Sequence, residues 1–411
     1  MGWHRKHLLS ISGTRLPNRG ESIKTGAVSM KFRTRAIHLG FDPDPQTGAV
    51  VPPIHLATTY VQPAAGEWRE FDYSRSGNPT RKAFENAIAA LESGTGGLAF
   101  ASGMAAIHCV TQLLETGDHI VTGQDVYGGT FRLFHKIINR AGISVTMVPT
   151  NDLEAVEKAF RPNTRLLWLE TPGNPLLSIT DIAACAKIAH RHGALVGVDS
   201  TFATPALTRP LELGADIVMH SATKYLGGHS DVLGGVLVAR DEELYQRLYF
   251  IQNATGAVMG PWESYLCHRG LRTLELRIHE QCRSAMAVAQ FLAEHPAVRR
   301  VYYPGLPDHP GHDIAARQMS GYFGAMLSFE VQGDLETAKK VVNSTRLFHL
   351  AVSLGAVESL IEQPALMSHA SYDPEARRAH GISDTLIRLS IGLEDPEDLI
   401  ADLEQALARA V

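Results

Sequence analysis

The chain has 411 residues, of which 45% are hydrophobic and 20% charged, with a formal net charge of −5. That composition excludes a disordered, collagenous or coiled-coil chain and supplies a large core. The mildly acidic balance offers no general basic field for nucleic acid, and no apolar run reaches the ~20 residues of a membrane-spanning helix.

Residues 1–35 differ from the rest, with Arg5, Lys6, Arg15, Arg19, Lys24, Lys31, Arg33 and Arg35 set against Glu21 alone. A basic, acid-poor start resembles a transit peptide. The plainer reading, adopted here, makes Met30 the true start and residues 1–29 an upstream read-through. Residues 1–30 are thus expected to be a basic extension without fixed structure, and 31–90 an N-terminal arm.

From residue 91, short apolar runs alternate with helical periods. Runs at 97–101, 120–122, 145–148, 166–169 and 195–198 read as strands buried on both faces of a parallel sheet. Between them, 105–114, 131–140, 153–160 and 182–192 carry apolar residues at helical spacing. This alternation predicts an α/β domain over 91–269 with right-handed crossovers, extended by strands at 217–219 and 235–239. Near Gly270 the texture changes. A long helix over 274–292, an apolar segment over 298–303, a Pro/Gly turn over 304–311 and a last helix over 396–410 predict a smaller α+β domain, 270–411.

Cys109, Cys185, Cys267 and Cys282 form no CxxC pair and read as reduced core thiols of a cytosolic protein. His309 and His312 share the stretch LPDHPGHD, a turn rather than a metal site, and no metal is expected. GTGGLA at 94–99 matches a dinucleotide fingerprint in letters only, because its glycines precede the strand instead of opening a helix.

A better anion site follows that strand, where Ser102, Gly103 and Met104 open the next helix. Asp199 ends the run 195–198, at the strand end where open α/β sheets place ligands. Lys224 follows the strand at 217–219, with Ser221 and Thr223 before it and Gly227 and Gly228 after it. A lysine on a short polar segment beside a buried strand can lose its proton and attack a carbonyl. An acid for a pyridine nitrogen, hydroxyls for a phosphate and an amine for an aldehyde together fit pyridoxal phosphate.

Further motifs carry a family resemblance. SATKYLGGH (221–229), YSRSGNPTR (73–81), ETPGNP (170–175), YGGT (127–130), SLG (353–355) and TLIRLS (385–390) resemble the Cys/Met-metabolism enzymes of the fold-type I pyridoxal-phosphate class, from about Lys31 to the C-terminus. The fold implied is a large, mostly parallel-sheet domain with a smaller C-terminal α+β domain. By this resemblance Lys224 captures the cofactor's aldehyde and later moves protons, and Asp199 pairs with the pyridine nitrogen. Ser102, Gly103, Met104, Ser221 and Thr223 hold the phosphate, Tyr127 stacks on the ring, and Asn174 and Thr201 lie beside it. Arg388, with Ser353 and Asn174, takes the substrate α-carboxylate. Tyr73 and Arg75 reach a neighbouring subunit's phosphate from the arm, implying a dimer of catalytic units and usually a homotetramer.

The implied activity is γ-elimination of L-cystathionine to cysteine, 2-oxobutanoate and ammonia. QNATGAV (252–258), YLCHRGL (265–271) and LAFASG (98–103) resemble the members that do this, and Glu358 stands where cystathionine-handling members face the distal amino group. The alternative is γ-replacement on O-succinyl- or O-acetylhomoserine by cysteine, toward which Asp72 leans. Methionine γ-elimination fits less well, because those members carry a cysteine where this chain has Gly129. Ser200 also departs from the family's usual Asn.

Overall fold

Short β-branched and leucine-rich runs bounded by polar turns give the larger sheet its strands: β1 (Gly96–Phe100), β2 (His119–Gly123), β3 (Ser144–Val148), β4 (Thr164–Glu170), β5 (Leu195–Asp199), β6 (Ile217–Ser221) and β7 (Gly235–Ala239). The computed structural model describes residues 30–370, 374–379 and 381–410, so the reading of residues 1–29 lies outside the described residues. The strands lie in the order β1-β7-β6-β5-β4-β2-β3. β3, β2, β4, β5 and β6 pair in parallel, and β7 runs antiparallel to both β6 and β1. Helices on both faces explain the unbroken apolar runs, since β1, β2 and β7 are buried at every position. The edge strand β3 is the exception, half-buried throughout and so not covered as its apolar run suggests.

Two local expectations need correction. The helix read at 131–140 is broken into an α turn (Gly128–Arg132), a π turn (Leu133–Ile137) and a 3₁₀ turn (Ile138–Ala141). The wide middle turn keeps Leu133, Phe134 and Ile138 buried together. Within the stretch read as an arm, Pro79–Leu91 is a core helix. Asn78 caps it by accepting from the N–H groups of Thr80 and Arg81, and Phe84, Ile88 and Leu91 are fully buried. The helix packs on β1, where an added Cβ at Gly97 would lie 2.4 Å from the Glu85 carbonyl.

A second sheet holds β8 (Val298–Tyr302), β9 (Met326–Val331), β10 (His349–Leu350), β11 (Leu360–Glu362) and β12 (Leu386–Ser390), ordered β10-β11-β12-β9-β8. Among the described residues only β10 and β11 pair in parallel there. The 21-residue helix Leu274–Glu294 joins the two parts. Its Arg277 donates to the Tyr225 and Gly270 carbonyls, and its Gln281 to the Ala356 and Ile391 carbonyls. All four cysteines are buried and unpaired. No described helix is long and apolar enough to cross a membrane.

Candidate active site

Five strand ends bring the chemistry to one edge of the larger sheet. β1, β2, β4, β5 and β6 point the same way, so the residues that follow them meet at the sheet's C-terminal edge: 102–104, 125–127, 170–175, 199–201 and 221–224. The glycines of the GTGG stretch lie at the other edge and serve packing. An added Cβ would come within 2.2 Å of Val238 at Gly94 and 2.3 Å of Tyr245 at Gly96.

Ser102 caps the helix Gly103–Thr111, its hydroxyl accepting from the Ala105 N–H at 3.2 Å. The first N–H groups of that helix have no intrahelical acceptor and present a positive end. Gly103 admits close approach, since a Cβ there would lie 2.9 Å from Met219 and 3.2 Å from Ser221. Thr223 is committed elsewhere, exchanging hydrogen bonds with the Gly234 backbone at 3.2 and 3.0 Å.

Asp199 is 6% exposed, and one carboxylate oxygen accepts from the Thr201 N–H at 3.0 Å and hydroxyl at 2.5 Å. The Thr201 hydroxyl oxygen in turn accepts from the Ser221 N–H at 2.9 Å, tying β5 to β6. Burial raises the Asp199 pKa, and the Thr201 bonds oppose it. Ser200 is buried with its hydroxyl unpartnered, and nothing in the structure explains its presence.

Lys224 donates from Nζ to Ser353 Oγ at 2.7 Å. Burial, and then the Arg388 charge, push its pKa down to about 8. Ser353 sits in the left-handed region at φ 105° on the segment joining β10 to β11. That segment runs along the Lys224 loop: the Val357 N–H donates to the Gly228 carbonyl at 3.1 Å. Glu358 follows directly, with one carboxylate oxygen buried and unpartnered.

Arg388, on β12, is 4% exposed and donates to Asn174 Oδ1 and to the Ser353 carbonyl, each at 2.9 Å. It also pairs with Glu362 at 3.1 Å. Asn174 is positioned by ETPGNP, whose Thr171–Pro172 and Asn174–Pro175 peptides are both cis. Tyr127 is 46% exposed beside this group, and its N–H donates to Glu170 at 2.7 Å.

The structure thus gathers Ser102, Gly103, Met104, Tyr127, Asn174, Asp199, Thr201, Ser221, Lys224, Ser353 and Arg388 around one edge. Tyr73 and Arg75 do not join them within this chain. They line a separate cavity of about 200 Å³ with Gly256, Val258 and Pro261, where Arg75 lies over the Tyr73 ring and donates to the Asn253 carbonyl. Asp72 accepts from the Tyr73 N–H at 2.6 Å on the same arm. Two further acids belong to the site and were not singled out in the sequence. Glu170 opens a recognised motif, which was its only signal. Glu362 follows an ordinary apolar pair, and nothing in the sequence marks it.

The residues present fit pyridoxal phosphate. Gly103 packs against Met219 and Ser221 where the helix Gly103–Thr111 begins, so that helix's free N–H groups and the Ser102 and Ser221 hydroxyls stand together as donors suited to a phosphate. Asp199 is a buried acid, and Lys224 a half-buried amine of lowered basicity. Fold and site together define a pyridoxal-phosphate-dependent enzyme. Residues 33–408 match the family described as Cys/Met metabolism PLP-dependent enzyme, and the chain belongs to it. It is 54% identical over 91% of its length to a cystathionine gamma-synthase of Mycobacterium tuberculosis, covering 96% of that protein. It is 52% identical over 91% to a cystathionine beta-lyase of Coxiella burnetii, covering 97% of that protein. The solved cystathionine gamma-lyase from Lactobacillus plantarum, complexed with L-serine, superposes with a TM-score of 0.89 at 50% identity, covering 92% of this chain and 99% of that one. The fold is therefore the one the motifs imply.

Proposed function

We propose that this enzyme cleaves L-cystathionine and water to cysteine, 2-oxobutanoate and ammonia. The observation that carries this reading is Glu358. It is an acid with an unpartnered oxygen, placed where the 353–358 segment meets the Lys224 loop. A free carboxylate there suits a substrate whose leaving half carries an ammonium group, as the cysteine half of cystathionine does.

Pyridoxal phosphate, when bound, supplies an electron sink that stabilises negative charge on substrate carbons. Ser102, Gly103, Met104 and Ser221 would hold its phosphate, Asp199 its ring nitrogen, and Tyr127 its ring face, with Asn174 and Thr201 alongside; Thr223 would reach the phosphate only by giving up its bond to the Gly234 carbonyl. Arg388, steadied by Asn174 and Ser353, grips the substrate α-carboxylate and fixes which Cα bond faces Lys224. Lys224 takes the Cα proton and returns protons to neighbouring carbons. Its lowered basicity suits that exchange near neutral pH. Tyr127 lies at the open side, where its phenol helps the incoming amine lose a proton and the departing sulfur gain one.

A second reading is γ-replacement, in which cysteine displaces the acyl group of an O-acyl homoserine; Asp72 favours it, through its likeness to synthase members. Methionine γ-elimination is disfavoured by Gly129, whose missing side chain lets Tyr127 and Met104 close over it.

We further infer a homo-oligomer, a dimer of dimers, in which residues 31–90 lend Tyr73 and Arg75 to a second copy's phosphate site. The exposed apolar side chains of Val50, Leu56, Val61 and Trp68 on that arm support the reading. The domain division at 91–269 and 270–411 is proposed with it, as is a cytoplasmic location, which suits four unpaired thiols.

The deciding experiment offers the purified holoenzyme cystathionine alone, then O-succinyl- or O-acetylhomoserine with cysteine, and identifies products by mass spectrometry. Faster release of cysteine and 2-oxobutanoate is expected. Faster formation of cystathionine would establish the replacement reading, and pyruvate with homocysteine would establish β-cleavage.

A further inference from the structure

Ser353 bridges two cationic side chains, meeting the half-buried Lys224 through its hydroxyl and the buried Arg388 through its carbonyl. A buried guanidinium without a counter-charge is costly. The fold provides one. Glu362 is the register partner of Arg388 across β11 and β12, so both side chains leave the same face of the sheet. Glu362 is 1% exposed, and its Oε1 meets Arg388 Nη1 at 3.1 Å and the Ser368 hydroxyl at 2.6 Å.

The pair is not saturated. Glu362 Oε2 and Arg388 Nε are both buried without a hydrogen-bond partner. Arg388 therefore keeps donor capacity while its charge is already offset. A substrate carboxylate arriving at the guanidinium becomes the second anion on one cation and meets repulsion from Glu362.

We propose that Glu362 is the resident counter-ion of Arg388. It is a positioning residue that holds the guanidinium in place and weakens its grip on carboxylates, so that substrate and product exchange. The proposal rests on Arg388 being the carboxylate site. Its physical sense lies in the products, because a keto acid leaves carrying the same carboxylate that anchored the substrate. Glu362 also opposes, at Lys224, the pKa-lowering field of Arg388.

The test titrates the holoenzyme with butanoate, a carboxylate with no amine to react, following heat release and the cofactor's visible absorbance. Glu362→Gln keeps the shape and an acceptor for Arg388 while removing the charge, and should bind butanoate about tenfold more tightly. Glu362→Asp keeps the charge and should stay within about twofold of the parent. Arg388→Ala should abolish binding; if it does not, Arg388 is not the carboxylate site and the proposal falls with that assignment. If Arg388→Ala loses binding but Glu362→Gln binds no tighter or weaker, Glu362 alone is misassigned. A measurement on the parent covers a Glu362→Gln protein that fails to fold. With its charge offset, Arg388 should prefer butanoate over butanamide by no more than about tenfold, and a preference above about a hundredfold overturns the proposal.

Discussion

Glu170 and Asp199 are register partners at the ends of β4 and β5, two carboxyl groups buried side by side. Both cannot ionise cheaply. Burial, with Asp199 next to it, pushes the Glu170 pKa well above its ordinary range. Asp199 is raised by burial too, but two bonds from Thr201 favour its charged form. Of the two, Glu170 is the one pushed further toward its protonated form, and Asp199 the one whose hydrogen bonds favour the anion. Glu170→Gln, a neutral isostere that still accepts from the Tyr127 N–H, should therefore keep cofactor affinity within about twofold. Asp199→Asn, which removes the anion, should weaken it by about tenfold or more. Equilibrium titration of the apoproteins with pyridoxal phosphate checks both.

The Lys224 amine, lowered to about 8, should show itself in cofactor capture. Only the neutral amine attacks an aldehyde, so the capture rate must rise with pH. Between pH 7 and pH 9 it should climb about tenfold and then level off, whereas an ordinary lysine would climb about a hundredfold with no plateau. Stopped-flow mixing of apoprotein and cofactor reads the difference.

Gly129 is confined by its neighbours. An added Cβ would lie 2.3 Å from the Tyr127 ring and 2.7 Å from the Met104 sulfur. Gly129→Cys should displace Tyr127 and lower kcat/KM on cystathionine by about 10- to 100-fold. Because Tyr127 is half-exposed, Tm should hardly move. Unchanged kinetics would remove Tyr127 from the reaction.

Arg75 lines the cavity beside Gly256, which does not include Lys224. If the arm serves a second copy, Arg75→Ala and Lys224→Ala proteins are each inactive alone. Unfolded together and refolded, they should regain roughly a quarter of parental activity, the share expected for one intact site in half of the dimers formed at random. No recovery would show that each chain builds its own site.

Strand order from residue 97 to 239, with the crossover helices between, was legible because buried parallel strands are continuously apolar and their crossover helices are amphipathic; most elements of the second sheet were not read. The lysine, the acid and the helix-opening Ser102 were legible because strand ends carry ligands in such sheets. Other parts were hidden for physical reasons. Pro79–Leu91 lies next to a stretch without regular elements, and its cap and apolar stripe went unread there. The π turn at Leu133–Ile137 packs Phe134 edge-on against Trp168 of β4, a contact distant in sequence. The Glu362–Arg388 pair depends on a β11–β12 register that no local pattern encodes, and Glu170 becomes an unusual acid only when the fold buries it, with Asp199 of β5 beside it.

The helix Leu274–Glu294 grips the Lys224 loop through Arg277 and the second sheet through Gln281, one turn apart. Gly228 is what lets Arg277 in: it sits at φ 74°, and an added Cβ would meet that guanidinium at 2.1 Å. The helix acts as an axle, so the second sheet cannot swing without carrying the lysine loop with it. Amine and carboxylate anchor keep their spacing through any such motion. Entry and exit of small molecules then fall to a wall not mounted on that axle, the Tyr127 turn.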